Sequence, residues 1–213
     1  MKVLFIEAKR KIDGNAINLE ALSKLPKDIN AVGMVYSVQY SSFIQPVKKE
    51  LEKNKKKAFV GGQVIGCDVS NAKKLLKKVN GFLFIGSGRF HAFSIALLGK
   101  PVFVFNPESS VLERIDEKDI NRIKLLKKTA LIKFLNADKI GIIVSTKYGQ
   151  YNMKQALLLK KKIEKKGKKA FIFLCDNINE TELENFDCEA WVNTACQALL
   201  MEPKILNIND VKI

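Results

Sequence analysis

The sequence predicts an α/β protein of two similar Rossmann-like domains with parallel sheets, and three observations carry the prediction. Short apolar, β-rich runs alternate with longer lysine-rich segments of helical spacing, an order that implies parallel strands layered with helices. Residues 31–61 align with residues 139–173, setting Gly33 over Gly141, Ser37 over Ser145 and Tyr40 over Tyr148, so the chain repeats one supersecondary unit. At 213 residues and 47% hydrophobic content, it is long enough to bury a sizeable core without a metal or disulfide staple.

Strand-like runs lie at 3–7, 31–36, 58–61, 82–85, 102–105, 139–145, 170–174 and 190–192. The segment 42–55 carries Phe43, Val47 and Leu51 at four-residue steps, which marks a one-faced helix. Residues 70–79 form the next predicted helix, with Asp68 or Ser70 as its cap. In 116–136 the residues Ile120, Ile123, Leu126, Ala130 and Phe134 give an apolar stripe on a long linking helix. Segment 151–166 does the same with Met153, Ala156, Leu157, Leu159 and Ile163. After each repeat come a third and a fourth strand: 82–85 matches 190–193, and LGKPVFVFN matches MEPKILNIN. The second copy is longer by four residues, which the alignment assigns to its helix. The expected domains are 1–115 and 116–213, the second including the linking helix.

Composition narrows the function classes. There are 37 basic and 22 acidic residues, a net charge of +15, and the only arginines are Arg10, Arg89, Arg114 and Arg122. Lysine is a hydrated point charge rather than the planar fork that reads nucleic acid, so the lysine-rich helices read as solvated faces and no direct nucleic-acid partner is expected. Lysines also interrupt every run that approaches membrane-spanning length. The first eight residues lead directly into Lys9, Arg10 and Lys11 with no secretory apolar region, and the expected location is cytoplasmic. His91 is the only histidine, which excludes a His-rich metal site and a paired-histidine acid–base mechanism. Neither GxGxxG nor a P-loop occurs.

The four cysteines, Cys67, Cys175, Cys188 and Cys196, show no CxxC spacing. Any metal they bind needs convergence from distant loops. Cys175 continues the apolar run 171–174 and reads as core, and Cys188 reads as incidental. Cys67 sits in the loop 61–68 between a strand and a helix, near the positive helix end that favours a thiolate. Cys196 follows the strand bearing Trp191. In parallel sheets ligands collect beyond the carboxyl ends of strands. Two more loops hold that position. Gly86, Ser87, Gly88 and Arg89 combine a backbone open to close approach with a guanidinium suited to a carboxylate. Ser145, Thr146, Lys147 and Gln150 supply hydroxyls, an ammonium and an amide, a set suited to an amino acid or nucleoside. The equivalent first-copy loop, Ser37 to Tyr40, lacks the lysine and glycine, pointing to the second copy as the functional one.

The ordered series GGQVIGCD, FLFIGSGRFH, KPVFVFNPES, GIIVSTKYGQ and WVNTAC resembles the archaeal diphthamide-biosynthesis enzymes of the Dph2 type, the 2-(3-amino-3-carboxypropyl)histidine synthases. The resemblance covers nearly the whole chain, and LFIEAKRKID is similar to the end of that family's first domain. It implies three similar α/β domains, each giving one cysteine to a [4Fe-4S] cluster, with S-adenosylmethionine as substrate at the open iron. Reduction of the cluster by an electron donor then yields a 3-amino-3-carboxypropyl radical. That radical modifies a histidine of translation elongation factor 2, the first step of diphthamide formation. Carried over by position, Cys67 and Cys196 are metal ligands, the soft thiolates such a cluster takes. The same resemblance places Gly86, Ser87, Gly88, Arg89, Ser145, Thr146, Lys147 and Gln150 around S-adenosylmethionine.

Two departures follow. The chain matches the family's second and third domains, so the expected enzyme is split, with a separate N-terminal-domain polypeptide carrying the third cysteine in a homo- or hetero-oligomer. Where the family continues Cys-Pro-Arg, this chain reads Cys196, Gln197, Ala198. The alternative is a noncatalytic scaffold subunit of such a complex.

Overall fold

The computed structural model describes residue 8 and residues 17–65, 68–177, 179–195 and 205–211; the strand expected at 3–7 lies outside them. Packing divides the chain into two units, Met1–Ile120 and Asn121–Ile213.

Unit 1 is built on a five-stranded sheet of β1 (Ala31–Tyr36), β2 (Lys57–Gln63), β3 (Gly81–Ile85), β4 (Val102–Asn106) and β5 (Val111–Arg114). The order is β2-β1-β3-β4-β5, with β1 to β4 parallel and β5 antiparallel at the edge. Alternating side chains fill two layers. Val32 and Met34 of β1 pack with Val47 and Leu51 of α1 (Ile44–Lys53). On the other face, Val35, Phe82 and Phe84 pack with Ala72 of α2 (Ser70–Lys73) and Ile95 of α3 (Phe90–Ala96).

Unit 2 holds β6 (Lys139–Ser145), α5 (Met153–Glu164), β7 (Lys169–Cys175), α6 (Glu180–Leu183), β8 (Ala190–Asn193) and β9 (Ile205–Asn207), preceded by α4 (Glu117–Asn136). Its four strands are all parallel in the order β7-β6-β8-β9. Ile140, Ile142 and Val144 are covered by Ala156, Leu159 and Ile163 of α5 and by Ala130 and Phe134 of α4. Ile143, Trp191 and Ile205 form the other face, with Phe173 and Leu183 against them.

The repeat has a packing rationale. Gly33 is the register partner of Phe82, and Gly141 that of Trp191. A Cβ on Gly33 would come within 2.7 Å of the Phe82 ring, and one on Gly141 within 2.3 Å of the indole. Each glycine therefore makes the recess into which the aromatic ring of the third strand lies.

A second repeated device involves lysines that the sequence presents as solvated. Lys56 is 8% exposed, and its Nζ donates to the carbonyls of Pro26 (2.8 Å) and Ile29 (2.9 Å). Lys168, aligned with it, donates to the carbonyls of Leu135 (2.5 Å) and Ala137 (2.7 Å) behind α4. In both units an ammonium entering the second strand ties down carbonyls of the helix or turn end just before the first.

Several elements differ from expectation. The four extra residues of the second copy are spread out, one before the helix, two within it and one after it. Helix 70–79 is α-helical only at Ser70–Lys73 and continues as tighter turns, with Leu75, Leu76 and Lys78 amides bonding three residues back. The segment still buries Ala72 in α2 and Leu75 and Val79 in the turns. Strand β2 runs through Gly61 and Gly62 because a bulge opposite Met34 and Val35 absorbs one residue, with Gly62 at φ +124. Strand β5 was not expected, since Glu113 and Arg114 interrupt its apolar pattern; its exposed edge position suits them.

Candidate functional site

Both units share the strand order second-first-third-fourth. In unit 1 the β1 connection runs through α1 on one face and the β3 connection through α3 on the other. The carboxyl ends of β1 and β3 are therefore the topological switch point, the position where open α/β sheets take ligands. Gly86 directly follows β3 and is buried. A Cβ there would meet Phe84 at 2.7 Å and Ser37 Oγ at 3.1 Å, so only glycine brings the loop this close to the end of β1. Ser87, Gly88 and Arg89 follow, exposed, with Gly88 at φ +77. The Arg89 guanidinium lies 3.0 Å from Asp119 and 5.3 Å from the Phe93 ring centroid, and its side chain is partly exposed. His91 stacks on Phe84 at 5.5 Å, and burial lowers its pKa.

The end of β2 is tightly held. Asn71 Nδ2 donates to the Gln63 carbonyl at 2.8 Å, and the Val64 amide to Tyr36 at 2.8 Å. The Asp68 amide bonds the Ile65 carbonyl at 3.0 Å, and Asp68 Oδ1 accepts the Ser70 amide at 2.9 Å. The N-cap position is Val69, which has no side-chain acceptor, so neither Asp68 nor Ser70 is the cap expected from the sequence; Asp68, one residue earlier, holds the first helical amide instead. Its carboxyl titrates below the ordinary range, because Ser70 donates to it and Lys73 and Lys74 lie near. Gly66 and Cys67, between these anchors, lie outside the described residues.

In unit 2, Ser145 is buried and its Oγ accepts the Lys147 amide at 3.1 Å. Thr146, Lys147, Tyr148 and Gly149 are exposed, and Gln150 is half-buried with its amide on the Lys147 carbonyl. The loop after β7 joins them: Thr146 Oγ1 donates to Asp176, and Lys147 Nζ to Asn177 Oδ1 at 2.5 Å. Asp176 and Asn177 are polar members of this cluster that sequence reasoning missed. Their signal was their place just past the carboxyl end of a parallel strand. At the end of β8, Thr194 bonds Ile143 through both amide and hydroxyl, Ala195 N donates to Asn193 Oδ1, and Asn152 Nδ2 donates to the Thr194 carbonyl. Cys196, the next residue, lies outside the described residues, as do Gln197 and Ala198.

Cys175 and Cys188 are half-buried, and burial, with Asp176 and Asp187 respectively, pushes both thiols above the ordinary cysteine value. Among the described residues no group of three or more His, Cys, Asp or Glu side chains could hold a metal ion. Cys67 and Cys196 lie outside the described residues, and their nearest described neighbours, Ile65 and Asp68 and then Ala195, follow the carboxyl ends of the parallel strands β2 and β8.

Two parallel-dominated α/β units with polar loops at those strand ends define a tandem doubly wound protein. The family model for diphthamide synthesis protein matches residues 1–202. The chain belongs to that family. It is 35% identical over 136 residues to the 2-(3-amino-3-carboxypropyl)histidine synthase of Pyrococcus horikoshii, covering 63% of this chain and 38% of that protein. To the synthase of Methanocaldococcus jannaschii it is 29% identical over 182 residues, covering 76% and 52%. The crystal structure of Dph2 from Pyrococcus horikoshii with a 4Fe-4S cluster superposes with a TM-score of 0.73 at 29% identity, over 91% of this chain and 58% of that one. The chain spans about half the length of the curated relatives it matches.

Proposed function

We propose that this chain is the cluster- and substrate-holding part of a 3-amino-3-carboxypropyl transferase, its units corresponding to the second and third domains of the family. Cys67 and Cys196 would be its two cluster ligands. The observation that carries the reading is the position of their flanking residues: Ile65 and Asp68 beyond β2, and Ala195 beyond β8, each at a carboxyl edge where α/β sheets present ligands. The relative described with a 4Fe-4S cluster supports the same assignment.

When bound, the cluster supplies one electron for breaking a sulfur–carbon bond of S-adenosylmethionine. The chain's own residues bind and orient. Gly86 and Gly88 let backbone approach the substrate, Arg89 presents a guanidinium to a carboxylate, and Ser145, Thr146, Lys147 and Gln150 offer hydrogen bonds to its polar groups. A histidine of elongation factor 2 is the proposed acceptor, in the cytoplasm, with an external electron donor. Two matching cysteines leave one protein ligand to be supplied by another polypeptide segment.

Anaerobic reconstitution with iron and sulfide, with and without a polypeptide bearing the family's first domain, tests this. Loading to four irons is expected only with that polypeptide, and it falls to background in Cys67→Ala or Cys196→Ala while Cys175→Ala and Cys188→Ala load normally. Equal loading across all four variants would sink the assignment. The cysteine count also favours a second reading, a noncatalytic scaffold subunit, which predicts unchanged activity of the assembled complex when Cys67 and Cys196 are removed.

A further inference from the structure

Helix α4 carries two apolar stripes, and unit 2 uses only one. Ala130 and Phe134 are buried in its core, and Ile123, on the same side of the helix, is also buried. At about 100° per residue, Leu125, Ile132 and Leu135 stand on the opposite side, where they are 63%, 48% and 50% exposed. The same side is basic. Lys128 lies among these residues, with Lys124 and Arg122 on the flanks, all exposed, and no carboxylate occurs between residues 121 and 137. Lys127, nearer the core, is already paired with Asp210 at 3.0 Å.

We propose that this outward face of α4 docks an acidic amphipathic segment of a partner polypeptide. Its apolar side chains, at helical spacing, would cover Leu125, Ile132 and Leu135, and its carboxylates would meet Arg122, Lys124 and Lys128. Charge complementarity selects this occupant. A second copy of the face would set ammonium against ammonium, which is repulsive. A nucleic acid would leave the aliphatic stripe unburied and would find no aromatic ring on it for stacking. A bilayer needs a broader apolar face than three half-exposed side chains. The inference rests on unit 2 alone and not on the cluster assignment, so either can fail without the other.

The test uses the full chain and two fluorescently labelled synthetic helical peptides sharing one leucine stripe, flanked by glutamates in one and by lysines in the other. A scrambled peptide of the acidic composition is the control. Anisotropy should show the acidic amphipathic peptide binding at least tenfold tighter than both others, weakening further with salt. Leu125→Ser/Ile132→Ser/Leu135→Ser should lose at least tenfold. Lys124→Glu/Lys128→Glu, which leaves the stripe intact and guards against misfolding of the first variant, should abolish the preference for acid over base. The proposal is overturned if the scrambled peptide binds equally. It is also overturned if both variants bind as the parent does, if sedimentation shows a dimer that the serine variant dissociates, or if anionic phosphatidylserine vesicles or an oligothymidine compete through the same leucines.

Discussion

His91 is held between two aromatic rings, parallel to Phe84 and edge-on to Phe90 at 5.3 Å, and burial lowers its pKa below the ordinary 6.5. The unfolded chain therefore takes up a proton at higher pH than the folded one. Stability from this group is full above about pH 6.5, declines as pH falls through that value, and levels off below the folded pKa. Thermal melts between pH 7.5 and 5.5 should show a shallower loss for His91→Phe than for the parent, and identical slopes would exclude the effect. Sequence reasoning could see that His91 was alone and beside a glycine loop. It could not see Phe84, because strand side chains reach a neighbouring loop only through the fold. Arg89 is similar: its fork was legible, its pairing with Asp119 was not, since the first turn of α4 comes thirty residues later. Asp68, whose partner Ser70 is local, was legible as a side chain at the helix start, but its place one residue before the cap was not.

Among elements, the paired lysines of Lys56 and Lys168 make the sharpest prediction. Lys56→Met keeps the aliphatic stem but leaves two carbonyls without their charged donor, a loss of about 2 kcal/mol at the usual strength of such bonds. Urea unfolding followed by circular dichroism should show it, whereas Lys55→Met, one residue away and exposed, should change little. Lys168→Met should act likewise on unit 2, and an effect of Lys55→Met equal to that of Lys56→Met would refute the device. Apolar parallel strands were legible because burial on both faces demands continuous Val, Ile and Phe. The bulge in β2, the edge strand β5 and the tight turns after α2 were not, because each depends on what a neighbouring strand or core does with one residue.

At the scale of the whole molecule, the internal repeat was legible and its reason was not: Gly33 and Gly141 are register partners of large rings, a relation visible only once strands pair. Gly141→Ala would press a methyl into the indole at 2.3 Å, overpacking that costs about 3 kcal/mol. Trp191 is the only tryptophan and belongs to unit 2, so its fluorescence follows that unit. Gly141→Ala should lower the urea midpoint seen by fluorescence. Gly33→Ala should lower a circular dichroism midpoint while leaving the fluorescence transition near that of the parent, and equal fluorescence shifts in both would mean that the units unfold as one. The enclosure of Lys56 has a chemical consequence as well. An amine-acylating reagent will mark the exposed lysines at once, yet it can reach this nitrogen only when unit 1 transiently opens. The slow appearance of the adduct at that one position, followed by mass spectrometry, is a clock for such opening in the otherwise intact protein.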